Sequence, residues 1–359
     1  MQPGTVMRYN SDVPMTPLSD REPSRATMRD VAELADVSLK TVSRVVNDEP
    51  GVSDDVRAKV QAAITQLSYR PNLAASNLRR IGARSGLVGA LLQDISNAFS
   101  ASFLRAFEDA ARPRRTGLLA ASLDEEIHRE QALVHDLVAR RVDALVLMPS
   151  SHSQAYLAAE LQSETPAVFV DRPPRGIDAD SVLVDNALGA RQAVEHLMRH
   201  GHRRIAGLFH LPHVYTAGER IRGFREALSA AGLEPDPRLL VTGVGTADEA
   251  AAAVRDLLSL ADPPTAVFAA RNTLSIGAAR AIAHRGLSRS VALVGFDDFP
   301  MADLVDPPLT VVAQDIPRMG RTVAEVVFAR LDGDRSAPRH VVSEPTLVPR
   351  GSGEIPAHR

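Results

Sequence analysis

Seven consecutive positions, Ser38–Arg44, hold Ser38, Thr41 and Ser43 with Lys40 and Arg44. Small hydroxyls and basic groups gathered at the start of a helix are what a helix-turn-helix presents to its target. The flanking residues fit such a placement. Ser38 can cap a helix by accepting a hydrogen bond from an early amide, and Val42, Val45 and Val46 form its buried side. That leaves Leu39, Lys40, Thr41, Ser43 and Arg44 facing outward. Upstream, Thr27 followed by Asp30 resembles a capping box with Asp in the usual Glu or Gln position, and Val31, Leu34 and Ala35 form an apolar stripe. Asp36-Val37 makes a tight turn. A third helix begins after Ser53, with Asp54 and Asp55 favourable at its positive end, and runs to about Leu67. The spacing by itself favours a DNA-binding head over the other reading, any small three-helix bundle. Residues 25–80 carry nine Lys/Arg against seven Asp/Glu, a balance of +2, with Arg70, Arg79, Arg80 and Arg84 grouped beyond the bundle.

Other residues that could do chemistry give weaker signals. His196, His200 and His202 could suit a metal by spacing, but basic groups are common in a last helical turn and no carboxylate ligand stands beside them. Gly243-Val-Gly245 follows a strand and precedes a helix, yet Asp248 stands where a dinucleotide fingerprint needs its third glycine. No Gly-x-Ser-x-Gly elbow or P-loop occurs. No metal and no cofactor are therefore expected. The sequence has no cysteine, which excludes disulfides, thiolate metal sites and a cysteine nucleophile. Its 359 residues are 45% hydrophobic and 24% charged with net charge −3, so nucleic-acid binding requires a local patch. That length allows two or three domains at roughly 150 residues each. No apolar run approaches the ~18 residues of a membrane span, and the Pro-rich, polar start lacks the apolar core of a secretory signal. The expected setting is cytoplasmic.

After Arg84 the pattern changes to alternating apolar runs and amphipathic stretches. Leu87–Gln93, Gly117–Ser122, Ala144–Ser150 and Ala167–Asp171 read as strands, with helical spacing over Ala101–Arg112, Glu125–Arg140 and Ser153–Gln162. A second series has strands at Ser181–Val184, Ile205–His210, Leu239–Thr242, Ala266–Ala270 and Val291–Phe296, and helices at Leu188–His200, Ala217–Ala231, Asp248–Leu260 and Leu274–Arg285. Near-continuous apolar strands between helices predict parallel sheets covered on both faces. Leu309–Asp315, a helix to about Leu331, and His340–Val348 can complete both sheets by crossing back. Ligands in such folds bind beyond the carboxyl ends of the strands.

The head, DVAELADVSLKTVSRVVN (Asp30–Asn47) followed by VSDDVRAKVQAAITQLSYRPN (Val52–Asn72), resembles the LacI/GalR (lactose-repressor) family of bacterial transcription regulators. Residues 72–80, NLAASNLRR, look like that family's hinge helix, and QDISNAF (Gln93–Phe99), VGFDD (Val294–Asp298), PLTVVAQD (Pro308–Asp315) and PTLVPRGS (Pro345–Ser352) extend the likeness through the body. The resemblance implies an all-α helix-turn-helix head and an α/β periplasmic-binding-protein-like body of two doubly wound parallel-sheet subdomains. The expected divisions are a disordered tail at 1–24, a DNA-binding domain at 25–71, a hinge helix and linker at 72–83, and an effector-binding and dimerisation domain at 84–359. Within the last, residues of about 84–184 plus 312–339 form one subdomain and about 185–311 plus 340–359 the other. Carried over, Leu39, Lys40 and Arg44 touch bases: Arg44 can fork onto guanine, Lys40 reaches the same acceptors, and Leu39 packs on a thymine methyl. Thr27, Ser38, Thr41, Ser43 and Asn47 would hold phosphates. Leu78 would wedge between central base pairs in the minor groove, with Asn72 and Arg79 along it.

For the body, the resemblance places effector contacts at Gln93, Asp94, Asn97, Phe99, Asp171, Arg172, Arg220, Asp297 and Gln314. Phe99 would stack on a sugar face, and the polar groups would take hydroxyls. Arg271 and Asn272 stand where the family usually has Asn-Asp, and Ala98 replaces a common proline. Two arrangements follow: Arg271 and Arg220 clamp an anionic group on the effector, or Arg271 pairs with Asp297 and the ligand is a neutral sugar. The implied protein is a repressor-type regulator that binds a near-palindromic, double-stranded operator as a homodimer. A sugar-like effector would release or engage it, and no catalysis or membrane would be involved. The competing reading is a solute-binding protein or enzyme of the same body fold with a non-functional head.

Overall fold

The computed structural model describes residues 26–70, 84–158 and 165–357. The chain divides into two compact units, with the second starting at Arg84.

The first unit holds α1 (Met28–Leu34), α2 (Leu39–Val46) and α3 (Asp54–Gln66). Asp30 does close a capping box: its Oδ2 accepts from the Thr27 amide at 2.7 Å, while Thr27 Oγ1 accepts from the Asp30 amide at 3.4 Å. Ser38 caps α2 by accepting from the Thr41 amide at 3.1 Å, and Asp36, at φ 53°, makes the turn between the helices. Val31, Ala32, Ala35, Val42, Val45, Val60, Ala63 and Tyr69 form the core. Leu34, expected in the apolar stripe, is instead 45% exposed. The 31/32/35 edge of α1 faces the bundle, so Ala32 takes the buried place.

The second unit contains two six-stranded sheets with orders β11-β5-β4-β3-β1-β2 and β12-β10-β9-β8-β6-β7. The first comprises β1 (Leu87–Leu92), β2 (Gly117–Ser122), β3 (Ala144–Leu147), β4 (Ala167–Val170), β5 (Asp180–Val184) and β11 (His340–Ser343). The second comprises β6 (Ile205–Leu208), β7 (Leu240–Val241), β8 (Ala266–Ala269), β9 (Ala292–Phe296), β10 (Thr310–Ala313) and β12 (Thr346–Val348). The pairs are parallel except β10 with β12. The helices are α4 (Ala98–Ala111), α5 (Ile127–Ala139), α6 (Asn186–Arg199), α7 (Tyr215–Ala230), α8 (Ala247–Leu257), α9 (Asn272–His284) and α10 (Ile316–Leu331). Separate apolar clusters cover the two faces of each sheet, as near-continuous Val/Leu/Ala strands require.

The segment His340–Val348 departs from the expected division. The sequence pattern places 340–359 wholly in the second subdomain, yet His340–Ser343 lies parallel to β5 in the first sheet. The cause is an anchor at the end of α10. Arg330 donates twice to the Asp180 carboxylate at 2.8 Å, which also accepts from the Arg339 amide at 2.8 Å. This fixes the chain beside β5 before it crosses back at Pro345. The helical stretch expected at Ser153–Gln162 begins as a 3-10 turn at Ala155–Leu157, and residues 159–164 fall outside the described residues.

The histidines and the glycine pair have structural partners. His196 Nε2 contacts the Glu354 carboxylate. His202 bonds Thr265 Oγ1 at 2.9 Å and the Ile355 carbonyl at 2.8 Å, so both rings fasten the C-terminal segment. Among the described residues no metal-binding cluster occurs. Glu249 Oε2 accepts from the Gly245 and Thr246 amides at 2.8 and 3.1 Å, taking the amides a phosphate would need. Among the described residues no helix is long and apolar enough to cross a membrane.

Candidate functional site

Two surfaces gather the expected functional residues, one in each unit. On α2, residues follow one another at about 100° around the axis. Val42 and Val45 therefore share the buried side, while Leu39, Lys40, Ser43, Arg44 and Asn47 occupy the opposite arc. Leu39 is 45% exposed, Lys40 and Asn47 are exposed, and Ser43 and Arg44 are half-buried. The hydroxyls are held locally: Ser38 Oγ lies 2.9 Å from Thr41 Oγ1, Asn47 Nδ2 donates to Ser43 Oγ at 3.3 Å, and Thr27 Oγ1 donates to Asp30 Oδ2 at 2.9 Å. The Thr27 and Ser38 bonds orient hydroxyls at the N-termini of α1 and α2, where amides and dipole favour an anion, whereas the Asn47–Ser43 bond lies at the C-terminal end of α2. The hinge positions Asn72, Leu78 and Arg79 lie outside the described residues.

In the body, strand ends build the second surface. Gln93 follows β1, Asp171 and Arg172 follow β4, His210 lies just past β6, Arg271 just past β8, Asp297 follows β9 and Gln314 follows β10. All face one cleft between the two sheets, with Asn97, Phe99 and Arg220. Asp171 and Asp297 adopt left-handed backbone conformations, φ 65° and 69°, which Asp tolerates better than most residues. Arg220 comes from α7, which approaches α6 closely because Gly223 has no Cβ; one there would meet the Ala187 carbonyl.

The ion pairs are specific. Arg172 donates to both Glu125 oxygens at 2.5 and 2.7 Å and to the Pro149 carbonyl at 3.1 Å. Arg220 donates to Asn186 Oδ1 and the Ala270 carbonyl, each at 2.8 Å, and to Asp297 Oδ2 at 3.2 Å, with its guanidinium 3.7 Å above the Phe296 ring. Asp297 Oδ1 accepts from Gln314 Nε2 at 2.5 Å. Asp297 thus pairs with Arg220 rather than Arg271, and Arg220 is committed to the protein. Arg271 donates across the cleft to Gln93 Oε1 at 2.8 Å.

Burial raises the Asp171 pKa to about 6; Arg172 and Arg220 oppose the shift, while Asp297 and Glu125 add to it. Burial also works to raise Glu125, but the hydrogen bond and charge of Arg172 outweigh it and hold the carboxyl below its usual range. His210 is lowered, by burial first and then by Arg271. Its Nδ1 lies 3.1 Å from the Val244 carbonyl and must donate there, so neutral Nε2 is a bare acceptor. His210 Nε2 and Gln314 Oε1 are buried without a partner.

Two expected contacts fall outside this lining. Asp94 Oδ1 accepts from the Ser96 amide and hydroxyl at 2.8 and 2.7 Å. Asn272 exchanges two amide hydrogen bonds with Asn97, each 3.0 Å, tying the subdomains together. Sequence reasoning missed His210, Ser100, Met148 and Thr216, which also line the cleft; the position of His210 beyond a strand's carboxyl end was the available signal. The cavity is about 50 Å³, far below the roughly 300–1,000 Å³ of a small-molecule pocket. Its own side chains fill the space a ligand would take.

An outward-facing recognition helix in one unit and a two-sheet polar cleft in the other define a ligand-sensing transcription regulator. Comparison with known proteins agrees. The pattern of bacterial regulatory proteins of the lacI family matches residues 27–72, and that of periplasmic binding protein-like domains matches 194–353. The ribose operon repressor of Haemophilus influenzae is 31% identical over 329 residues, covering 91% of this chain and 98% of that protein. A lac repressor dimer solved with operator and the anti-inducer ONPF superposes with TM-score 0.82 at 28% identity, covering 92% and 99% of the two chains. The transcriptional regulator CelR in complex with cellobiose gives TM-score 0.67 at 33% identity over 91% and 100%. This chain belongs to the LacI family, whose members are DNA-binding regulators and not enzymes.

Proposed function

We propose that this protein represses transcription as a homodimer on a near-palindromic operator, and that a sugar-like ligand in the body cleft changes its hold on DNA. The observation that carries the reading is the division of α2 into a buried Val42/Val45 side and an open Leu39/Lys40/Arg44 side. On that reading Leu39, Lys40 and Arg44 meet base edges in the major groove. Thr27, Ser38, Thr41, Ser43 and Asn47 hold phosphates, and Asn72, Leu78 and Arg79 work in the minor groove. Relatives named for the ribose operon and solved with cellobiose support a sugar-like effector, as do the cleft's unpartnered acceptors. A regulator of this kind works in the cytoplasm, at the nucleoid.

For the dimer, α9 and residues 299–307 expose Ile276, Met301 and Leu304 along one apolar groove. A second copy related by a two-fold axis would cover it and match the symmetry of a palindrome. A gel-shift titration against the DNA upstream of its own gene tests the reading. Sequence-selective binding with a steep salt slope is expected, and Arg44→Ala should cost about 1–3 kcal/mol while relaxing base choice at one half-site position. Binding that no sequence improves, or an Arg44→Ala variant that binds unchanged, overturns it.

A further inference from the structure

The three cleft arginines are not equivalent. Arg172 has both oxygens of Glu125, and Arg220 has Asp297 together with Asn186 and the Ala270 carbonyl. Arg271 has only the neutral amide of Gln93; among the described residues no carboxylate oxygen lies within 4.0 Å of its guanidinium. Asp297 and then Glu125 are the carboxylates whose charge acts on it, and each is engaged by another arginine. Burial accordingly pushes the Arg271 pKa down, with those two carboxylates only partly opposing it. A half-buried guanidinium bonded to an amide lacks the charge-assisted partner that would compensate its lost hydration.

The rest of the lining presents acceptors. Gln314 Oε1 and His210 Nε2 are buried without donors. The closest cationic atom to the Asp171 carboxylate is Arg172 Nε, at 3.9 Å. Acceptors of this kind complement hydroxyl groups. Resting on the effector reading above, we propose that the ligand is a polyhydroxylated anion: a carboxylate or phosphate group replaces Gln93 on Arg271, and hydroxyls donate to Asp171, Gln314 and His210. A neutral sugar would leave Arg271 as poorly matched as Gln93 does. Since Gln93 and Arg271 come from opposite sheets, the incoming anion exchanges a bond that closes the cleft for one the ligand makes itself.

The test uses the full-length chain at constant ionic strength, with thermal shift followed by calorimetry. The probes are matched pairs (glucose with gluconate and with glucose 6-phosphate, ribose with ribose 5-phosphate) and inorganic phosphate alone. Anionic members should raise the melting temperature and neutral ones should not, and the carboxylate and phosphate arms show which anion is preferred. Arg271→Gln should weaken the anionic binders by about tenfold or more and abolish the preference for charge, whereas Arg271→Lys, which keeps the charge without the fork, should retain part of it. Both variants must keep the wild-type circular dichroism spectrum and ligand-free melting transition. A neutral sugar that stabilises as well as its charged partner overturns the anion and leaves the effector reading standing. So does an unchanged preference in Arg271→Gln. A wild-type chain that no anion stabilises, phosphate included, also overturns the proposal. Operator binding that no cleft-stabilising compound alters tells against the effector reading itself.

Discussion

Replacing Asp297 with Asn isolates what the buried Arg220 pair contributes. Asn has nearly the same shape and tolerates φ 69° much as Asp does, so backbone strain cancels between the two proteins. The substitution removes the charge that faces Arg220 Nη1 at 3.2 Å. It also presents Gln314 Nε2, now 2.5 Å from Asp297 Oδ1, either with a second amide NH2 donor or, after a flip, with the amide oxygen as acceptor. Removing one member of a buried pair typically costs about 3–5 kcal/mol. Arg220 nevertheless keeps Asn186, the Ala270 carbonyl and the Phe296 face, and Asn still offers one oxygen. The expected loss is therefore about 2 kcal/mol. Urea unfolding followed by far-ultraviolet circular dichroism reads it as a lower midpoint at unchanged slope for the body's transition. Adding Arg220→Met should return most of that loss, because the unpaired charge is then gone. A single-variant loss under about 0.5 kcal/mol, the range of ordinary surface changes, would refute a buried, mutually dependent pair.

Other perturbations give equally direct outcomes. Asp171→Asn should stabilise the body at pH 7.5, because burial raises the wild-type pKa to about 6 and the ionised form is the disfavoured one. The sign is that of a raised acid: wild-type stability gains on its Asn variant as pH falls from above 6 toward 3.8, by about 1–2 kcal/mol between pH 7.5 and 5. A parallel pair of pH–stability curves would contradict it. Glu354→Ala leaves His196 Nε2, the Gly351 amide and Thr310 Oγ1 without their carboxylate; a loss of about 1–3 kcal/mol is expected, and an unchanged melting curve would show that the C-terminal clasp carries no stability. Leu304→Asp, placed in the exposed apolar groove, should shift sedimentation from dimer to monomer while the circular dichroism spectrum holds. A variant that sediments as wild type moves the interface elsewhere.

Much of the architecture was legible because strands buried on both faces need continuous apolar runs: Leu87–Leu92 and Ala144–Leu147 could hardly be anything else. The Thr27/Asp30 box and the Ser38 cap were legible because capping is local chemistry three residues long. The placement of His340–Ser343 was not, since it depends on Arg330 reaching Asp180, 150 residues away in sequence. The cleft divides in the same way. The family resemblance pointed to Gln93, Asp171, Arg271, Asp297 and Gln314, all of which follow strands and line the cleft, and the strand-end rule applied to β6 would have added His210. Pairing did not follow from position. Which of Arg220 and Arg271 meets Asp297, and whether Asn97 faces a ligand or Asn272, are set by helix approach at Gly223 and by the closure of one subdomain on the other.

Operator affinity measured by fluorescence anisotropy, with and without a compound that stabilises the body, tests the central claim most directly. Sequence-selective binding in the nanomolar range or tighter is expected, shifted by about 1–3 kcal/mol when the cleft is filled. An affinity that stays the same whether the cleft is empty or saturated, or that no duplex sequence raises above the non-specific level, would contradict it.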